Sequence, residues 1–140
     1  MGKYIITRIF ETDGVERFME IKSINDEKCL NVRMMEYNEY LEWGEKSEKR
    51  KEGDVIEGIL MIDALFRKKV DDTIIFEQRI AKSPNIVAIV EVSRIEDEYT
   101  IYAKSTIIND EILVEFDQKV NCKVGDRILL EGSLELEIEE

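Results

Sequence analysis

Three aromatic side chains and a short basic run lie close together in the first half of the chain. The aromatic residues are Tyr37, Tyr40 and Trp43, and the basic run is Lys49, Arg50 and Lys51. Exposed aromatic rings stack on bases while lysine and arginine contact phosphates, so this pattern is typical of a site for single-stranded nucleic acid. The same rings are equally suited to anchor a protein partner, because buried aromatic residues commonly dominate the energy of an interface.

The acidic residues within this segment argue against a phosphate-binding groove. Glutamate recurs at every third position from residue 36 to residue 48, so residues 36–51 carry five acidic against four basic side chains. A nucleic-acid site needs an excess of positive charge to attract the phosphate backbone. Nucleic-acid binding is therefore the alternative prediction, and protein binding by the aromatic residues is preferred.

A second candidate site is a row of glutamates near the end of the chain. Glu131, Glu135 and Glu137 lie in a segment in which apolar and polar residues alternate, which is typical of a strand with one solvated face. The chain has a net charge of −12, and residues 71–140 carry 17 acidic against 7 basic residues. Such a surface favours a basic partner, because complementary charge speeds association.

The composition leaves few routes to catalysis. The chain has no histidine, which excludes Ser-His and Cys-His nucleophilic catalysis and any histidine-ligated metal. Cys29 and Cys122 are far apart in sequence and are interpreted as core thiols. There is no phosphate-binding loop, nucleophile elbow or calcium-loop pattern. We therefore predict a protein that is not an enzyme and has no cofactor and no metal site.

The hydropathy pattern points to a protein outside the membrane. No apolar run approaches the roughly 18–20 residues that a membrane-spanning helix needs. The first residues lack the apolar core of a secretory signal, since Arg8, Glu11 and Asp13 follow the first isoleucines closely. The expected location is cytoplasmic.

The apolar periodicity predicts an all-β fold. The clearest alternation of apolar and polar residues runs from Arg127 to Glu139, and other strands are predicted at 4–12, 15–24, 29–35, 55–65, 86–95, 99–108 and 111–117. Residues 73–76 could add one more. The predicted architecture is one or two small barrels, or a sandwich, of antiparallel strands.

A repeated phrase suggests two similar halves. Lys51-Glu52-Gly53-Asp54 precedes one predicted strand, and Lys123-Val124-Gly125-Asp126 precedes another; each strand contains a glycine. A turn followed by a bent, glycine-bearing strand resembles the end of an OB-fold barrel, and the resemblance implies two OB-like halves in tandem. We predict a β unit at 1–70 with a long polar insert near 36–50, and a second at 71–140 with an acidic closing strand. One domain with a shared core, 1–140, is the other possibility.

These observations predict a non-enzymatic binding protein. Its expected ligand is a basic protein that contacts the acidic β face, as an inhibitor or immunity-type protein would, or a second copy of the chain. The residues predicted to bind protein are Glu131, Glu135, Glu137, Tyr37, Tyr40 and Trp43. The alternative is an OB-like single-strand binder that uses the same aromatic residues with Lys49, Arg50 and Lys51.

Overall fold

The fold is all-β, as predicted. A computed structural model describes residues 2–36, 43–45, 49–106 and 111–138, and within these ranges it has nine strands and no helix. None of these residues forms a helix of the length and apolar character that crossing a membrane requires. The strands are β1 Gly2–Asp13, β2 Glu16–Ser23, β3 Cys29–Met35, β4 Val55–Val70, β5 Ile75–Glu77, β6 Asn85–Ile95, β7 Thr100–Lys104, β8 Ile112–Phe116 and β9 Arg127–Ile138.

The nine strands form one sheet that closes into two rings. The first ring runs β1–β2–β3–β9–β4 and returns to β1, and the second runs β6–β7–β8–β4–β9 and returns to β6. Each ring has five strands, the number in an OB-fold barrel. The two longest strands, β4 with 16 residues and β9 with 12, pair with each other and belong to both rings. The rings therefore share a wall.

The sheet is mixed, which differs from the antiparallel arrangement expected. β3 pairs with β9 in parallel, and β4 pairs with β8 in parallel, while the other pairings are antiparallel. The cause is the sharing of β4 and β9. Each of these strands leaves one ring, enters the other and runs there beside a strand of the same direction.

The repeated phrase forms the same turn twice. Gly53 and Gly125 have φ values of 91° and 92°, a left-handed conformation that glycine adopts without steric cost. In the first copy the Lys51 amide donates a 2.9 Å hydrogen bond to the Asp54 carboxylate. In the second copy the equivalent bond, from Lys123 to the Asp126 carboxylate, is 2.8 Å. The two copies therefore begin equivalent strands, β4 and β9.

The register of β4 on β9 relates the two rings by an approximate twofold axis. Gly58 lies opposite Ile138, and Gly132 lies opposite Ala64. Residue 132 of β9 is the equivalent of residue 58 of β4, and residue 138 is the equivalent of residue 64, because the two separations in sequence are the same. Exchanging the two strands turns the pair 58–138 into the pair 132–64, so the register is unchanged. β4 ends at Val70, and the division of the chain into two units at that point stays a prediction.

The core is continuous through both rings. Along β9, Ile128, Leu130, Leu134 and Leu136 are buried while the residues between them face outward, as the alternation predicted. The buried cluster includes residues of β1, β2 and β3 as well as β6, β7 and β8. Because the even-numbered residues of β9 fill this core, its odd-numbered residues are left for the outer surface.

Candidate functional site

The predicted acidic row lies on the outer face of β9, but two of its members are ion-paired. The Glu131 carboxylate is 2.6 Å from a guanidinium nitrogen of Arg67. Glu135 bonds to the guanidinium of Arg33. Glu137 is exposed and has no ion-pair partner among the residues that the structure describes. The negative charge of the row is therefore largely balanced at Glu131 and Glu135 and remains available at Glu137.

Arg33 fixes Glu135 across the junction of β3 and β9. One nitrogen of its guanidinium bonds to Glu135, and another lies 2.8 Å from Glu16. Burial acts to lower the pKa of Arg33, but the hydrogen bond and the charge of Glu135, together with Glu16, outweigh it and raise the pKa. Arg33 is thus a permanent cation that holds the two carboxylates in place.

A groove of about 700 Å³, here called the central groove, runs over the outer face where β3, β9, β4 and β8 lie side by side. The cross-strand pair Met61–Glu135 lines it, and these two residues are related by the approximate twofold axis. The central groove is lined by the ion-paired side chains Arg33, Glu135 and Glu36, and by Val15, Met35, Met61, Ile138, Glu115 and Glu137.

The central groove combines apolar walls with free carboxylates. Met35 is 50% exposed although it is a large apolar side chain, and Met61 is partly covered beside it. Glu115 and Glu137 are exposed, and neither forms an ion pair with any described residue. A ligand that offers both apolar surface and positive charge would satisfy both features.

Glu131 lies apart from this groove. It lines a second groove of about 740 Å³, here called the lateral groove, between the β4–β9 pair and the segment that joins β5 to β6. Asp63, Leu65, Ile80 and Asp117 also line this groove. The structure therefore brings Glu135 and Glu137 together and places Glu131 in a neighbouring depression.

The predicted aromatic anchors are partly outside the described residues. Tyr37 and Tyr40 fall in the range 37–42, which the structure does not describe. Trp43 is described and its side chain is fully exposed. A fully exposed tryptophan is available to a partner, since no described part of the chain covers it.

The predicted basic run is divided between surface and interior contacts. Lys51 is exposed and Lys49 is half-buried. The guanidinium of Arg50 lies 2.7 Å from the carboxylate of Glu36, so its charge is already matched within the protein. The positive charge of Arg50 is therefore less available to a ligand than that of exposed Lys51.

A buried ionic cluster, which the sequence did not reveal, joins the two ends of the 37–49 segment. Arg17 and Glu36 are only 6% and 7% exposed. One guanidinium nitrogen of Arg17 lies 2.6 Å from the Glu36 carboxylate and 2.5 Å from the main-chain oxygen of Arg50. Glu36 precedes the segment and Arg50 follows it, so the contacts of this cluster hold the two residues that flank the segment close together. Glu36 belongs to the every-third-residue glutamates, which made it indistinguishable in sequence from the other members of that series.

No metal site was found in the described part of the chain, where no three cysteine, aspartate or glutamate side chains converge suitably. Comparisons with protein-family models, with curated proteins and with solved structures each gave no match. The two grooves and the contacts of their carboxylates are therefore the features from which a function can be inferred.

Proposed function

We propose that this protein is a non-enzymatic binding protein that recognises a basic segment of another protein through the central groove. The observation that carries the proposal is the pairing of apolar walls, at Met35 and Met61, with two carboxylates that lack ion-pair partners among the described residues, Glu115 and Glu137. Charge and apolar surface thus lie within one depression about 700 Å³ in volume.

Lysine and arginine side chains match this combination. Each has an apolar stem that packs along hydrophobic surface and a cationic head that stays near water or a carboxylate. In the proposed complex, the stem packs against the methionines and the head pairs with Glu115 or Glu137. Methionine suits such a surface because its flexible thioether adapts to side chains of different shape.

The surroundings of the groove support the same ligand class. The net charge of −12 attracts a basic partner over a distance and speeds its association. Glu135 is held by Arg33 rather than left free, which reduces its repulsion of Glu115 and Glu137. The floor consists of paired strands, so little order has to be gained when a partner binds.

Single-strand nucleic-acid binding is retained as the competing function. Its support is Trp43, fully exposed, together with exposed Lys51 in the predicted basic run. Arg50 contributes less, since it is already bonded to Glu36. A second copy of the chain is the other competing partner, although two chains of net charge −12 repel each other.

The test uses three fluorescent probes and two variants of equal charge change. The probes are a nine-residue peptide with lysine at alternate positions, the same peptide with glutamate in place of lysine, and an oligo-dT strand. The variants are Glu115→Gln/Glu137→Gln and, as the control, Asp71→Asn/Asp72→Asn. Asp71 and Asp72 are also exposed but follow the C-terminal end of β4, away from the groove. Fluorescence anisotropy is measured at about 50 and about 200 mM salt.

Binding of the lysine peptide that weakens about tenfold in E115Q/E137Q and little in the control would support the proposal. Equal weakening in both variants would mean that net charge, rather than the groove, attracts the peptide. Tight binding of the oligo-dT strand, lost when Trp43 is replaced by alanine, would favour the nucleic-acid function instead. Absence of lysine-peptide binding at either salt concentration would overturn the proposal.

A further inference from the structure

The central and lateral grooves adjoin along the shared wall of the two rings. Four successive outward-facing pairs lie along β4 and β9, because alternate residues of a strand point to the same face. These pairs are Ile59–Glu137, Met61–Glu135, Asp63–Ser133 and Leu65–Glu131. The central groove takes in Met61, Glu135 and Glu137, and the lateral groove begins at Asp63 and Ser133. The first and the last of these pairs are six residues apart along the strand, a distance of about 20 Å.

The carboxylates without ion-pair partners also continue from one groove into the other. Glu137 and Glu115 belong to the central groove, and Asp63 and Asp117 belong to the lateral groove. Asp63 and Glu115 are direct neighbours in the register of β4 on β8, so they join the two sets. Within the described residues none of these four carboxylates forms an ion pair, whereas Glu131 is paired with Arg67.

The lateral groove has its own exposed apolar surface. Leu65 is 43% exposed and Ile80 is 54% exposed, and both line the groove beside Asp63 and Asp117. The depression has about the same volume as the central groove, 740 against 700 Å³. Each groove therefore offers the same combination of apolar wall and unpaired negative charge.

We propose that the two grooves act as one channel, in which a single extended basic segment of a partner protein lies along β4 and β9. This inference rests on the proposed function and specifies its ligand. An extended chain repeats its side chains on one face about every 6.8 Å, the spacing of the pairs beneath it, so alternate basic residues meet successive parts of the channel. A channel of about 20 Å accommodates six or seven extended residues.

The chemistry of the channel selects this occupant over the others. A phosphate backbone would face four unpaired carboxylates, and a second copy of the chain would bring a net charge of −12. A basic segment instead gains at the four unpaired carboxylates, while the cations that line the channel, Arg33 and Arg79, are already paired with Glu135 and Glu77. Two linked sites also bind a long ligand more tightly than either site binds a short one, because the second contact is intramolecular.

The experiment compares lysine-alternating peptides of three residues, which fit one groove, and seven residues, which span the channel, by fluorescence anisotropy. They are tested on the wild-type chain, on Glu115→Gln/Glu137→Gln, on Asp63→Asn/Asp117→Asn, and on the control Asp71→Asn/Asp72→Asn. The long peptide is expected to bind at least tenfold more tightly than the short one. Either groove variant should reduce that advantage about tenfold, while the control should change it less than twofold. Thermal unfolding of each variant checks that the fold is retained.

The outcomes separate the channel from the central groove alone. If D63N/D117N binds the long peptide as tightly as the wild type, or if length brings no advantage, the channel is wrong and the proposed function stands. If only D63N/D117N weakens binding, the proposed function in the central groove is wrong, and the channel is wrong with it. If neither groove variant differs from the control, both proposals fail.

Discussion

A side chain at Gly132 would collide with the main-chain oxygen of Asp63 on the opposite strand. Gly58, its equivalent across the approximate twofold axis, lies against the main-chain oxygen of Glu137, 2.6 Å from where a β-carbon would stand. These are the glycines that close the two copies of the repeated phrase. Glycine is needed at both positions because the main chains of β4 and β9 approach each other there too closely to admit a side chain.

We expect Gly132→Ala to lower the free energy of unfolding by about 3 kcal/mol or more, since main chain must move to admit the methyl group. The matched control is Gly14→Ala, in an open turn with nothing within 4 Å of the added carbon. Its φ of 61° makes alanine cost about 1–2 kcal/mol through backbone strain alone. Urea denaturation measures both variants. Equal losses would contradict the steric account.

Much of the fold could be predicted because its signals are local. The alternation along β9 identified both the strand and its buried face, and the range Cys29–Met35 was predicted as β3. The paired Gly-Asp turns were also visible, since a left-handed glycine leaves a recognisable phrase. β4 was predicted to end at 65 but continues to Val70, because Lys68 and Lys69 pair with β9 after a bulge.

The candidate site was harder to predict because its contacts are distant in sequence. Glu131 looked like a free acid, but its partner Arg67 is 64 residues away, and the partner of Glu135 is 102 residues away. Likewise, the crossing of β4 and β9 between rings determines which carboxylates share a groove. The alternation of apolar and polar residues carries neither kind of information, so it could not distinguish the unpaired carboxylates of Glu115 and Asp63 from the ion-paired ones of Glu131 and Glu135.

The two cysteines should differ strongly in reactivity. Burial raises the pKa of Cys122, the charge of Asp126 raises it further, and Lys69 opposes the shift. A raised pKa leaves less thiolate, the reactive form, at any given pH. Cys29 is exposed. At pH 8 we expect a disulfide reagent such as DTNB to label one thiol rapidly and the second only when urea unfolds the chain.

Cys29→Ser provides the control for this assignment. It should remove the rapid phase of labelling and leave the slow phase unchanged. A rapid phase that survives in C29S would show that Cys122 is accessible, which its 9% exposure does not predict.

Asp126 should make the stability of the protein depend on acid pH. The hydrogen bond from the Lys123 amide, and then Lys69, lower its pKa below the ordinary value. A carboxyl whose pKa is lower in the folded state stabilises the fold fully above its unfolded pKa, about 3.9. That stabilisation is lost as the pH falls through the lower, folded pKa. Asp126→Asn should therefore unfold more readily than the wild type at pH 7, with a difference that narrows below about pH 4.

Urea denaturation at pH 7, 4.5, 3 and 2 measures the effect of Asp126→Asn. Asp71→Asn is the comparison, because Asp71 is exposed and its carboxylate forms no ion pair with a described residue. A constant difference between D126N and the wild type over this range would mean that the asparagine acts through packing rather than charge.

The buried cluster of Arg17 and Glu36 should be costly to break from one side. Glu36→Ala leaves the Arg17 guanidinium, 6% exposed, without the carboxylate that lies 2.6 Å away. An uncompensated buried charge typically lowers the free energy of unfolding by about 3–5 kcal/mol. Arg67→Ala breaks a pair whose members are about half exposed, so it should cost about 1 kcal/mol or less. Urea denaturation compares the two variants.

A double variant distinguishes loss of charge balance from loss of packing. In Arg17→Met/Glu36→Leu, neither member of the buried pair is left without its counterpart, and apolar side chains of similar volume replace the pair. Half-buried Arg50 loses its carboxylate in this variant as it does in E36A. We expect this variant to recover most of the stability that E36A loses. If the double variant is as unstable as E36A, the cluster stabilises the base of the 37–49 segment through its particular hydrogen bonds, such as the one from Arg17 to the Arg50 main-chain oxygen.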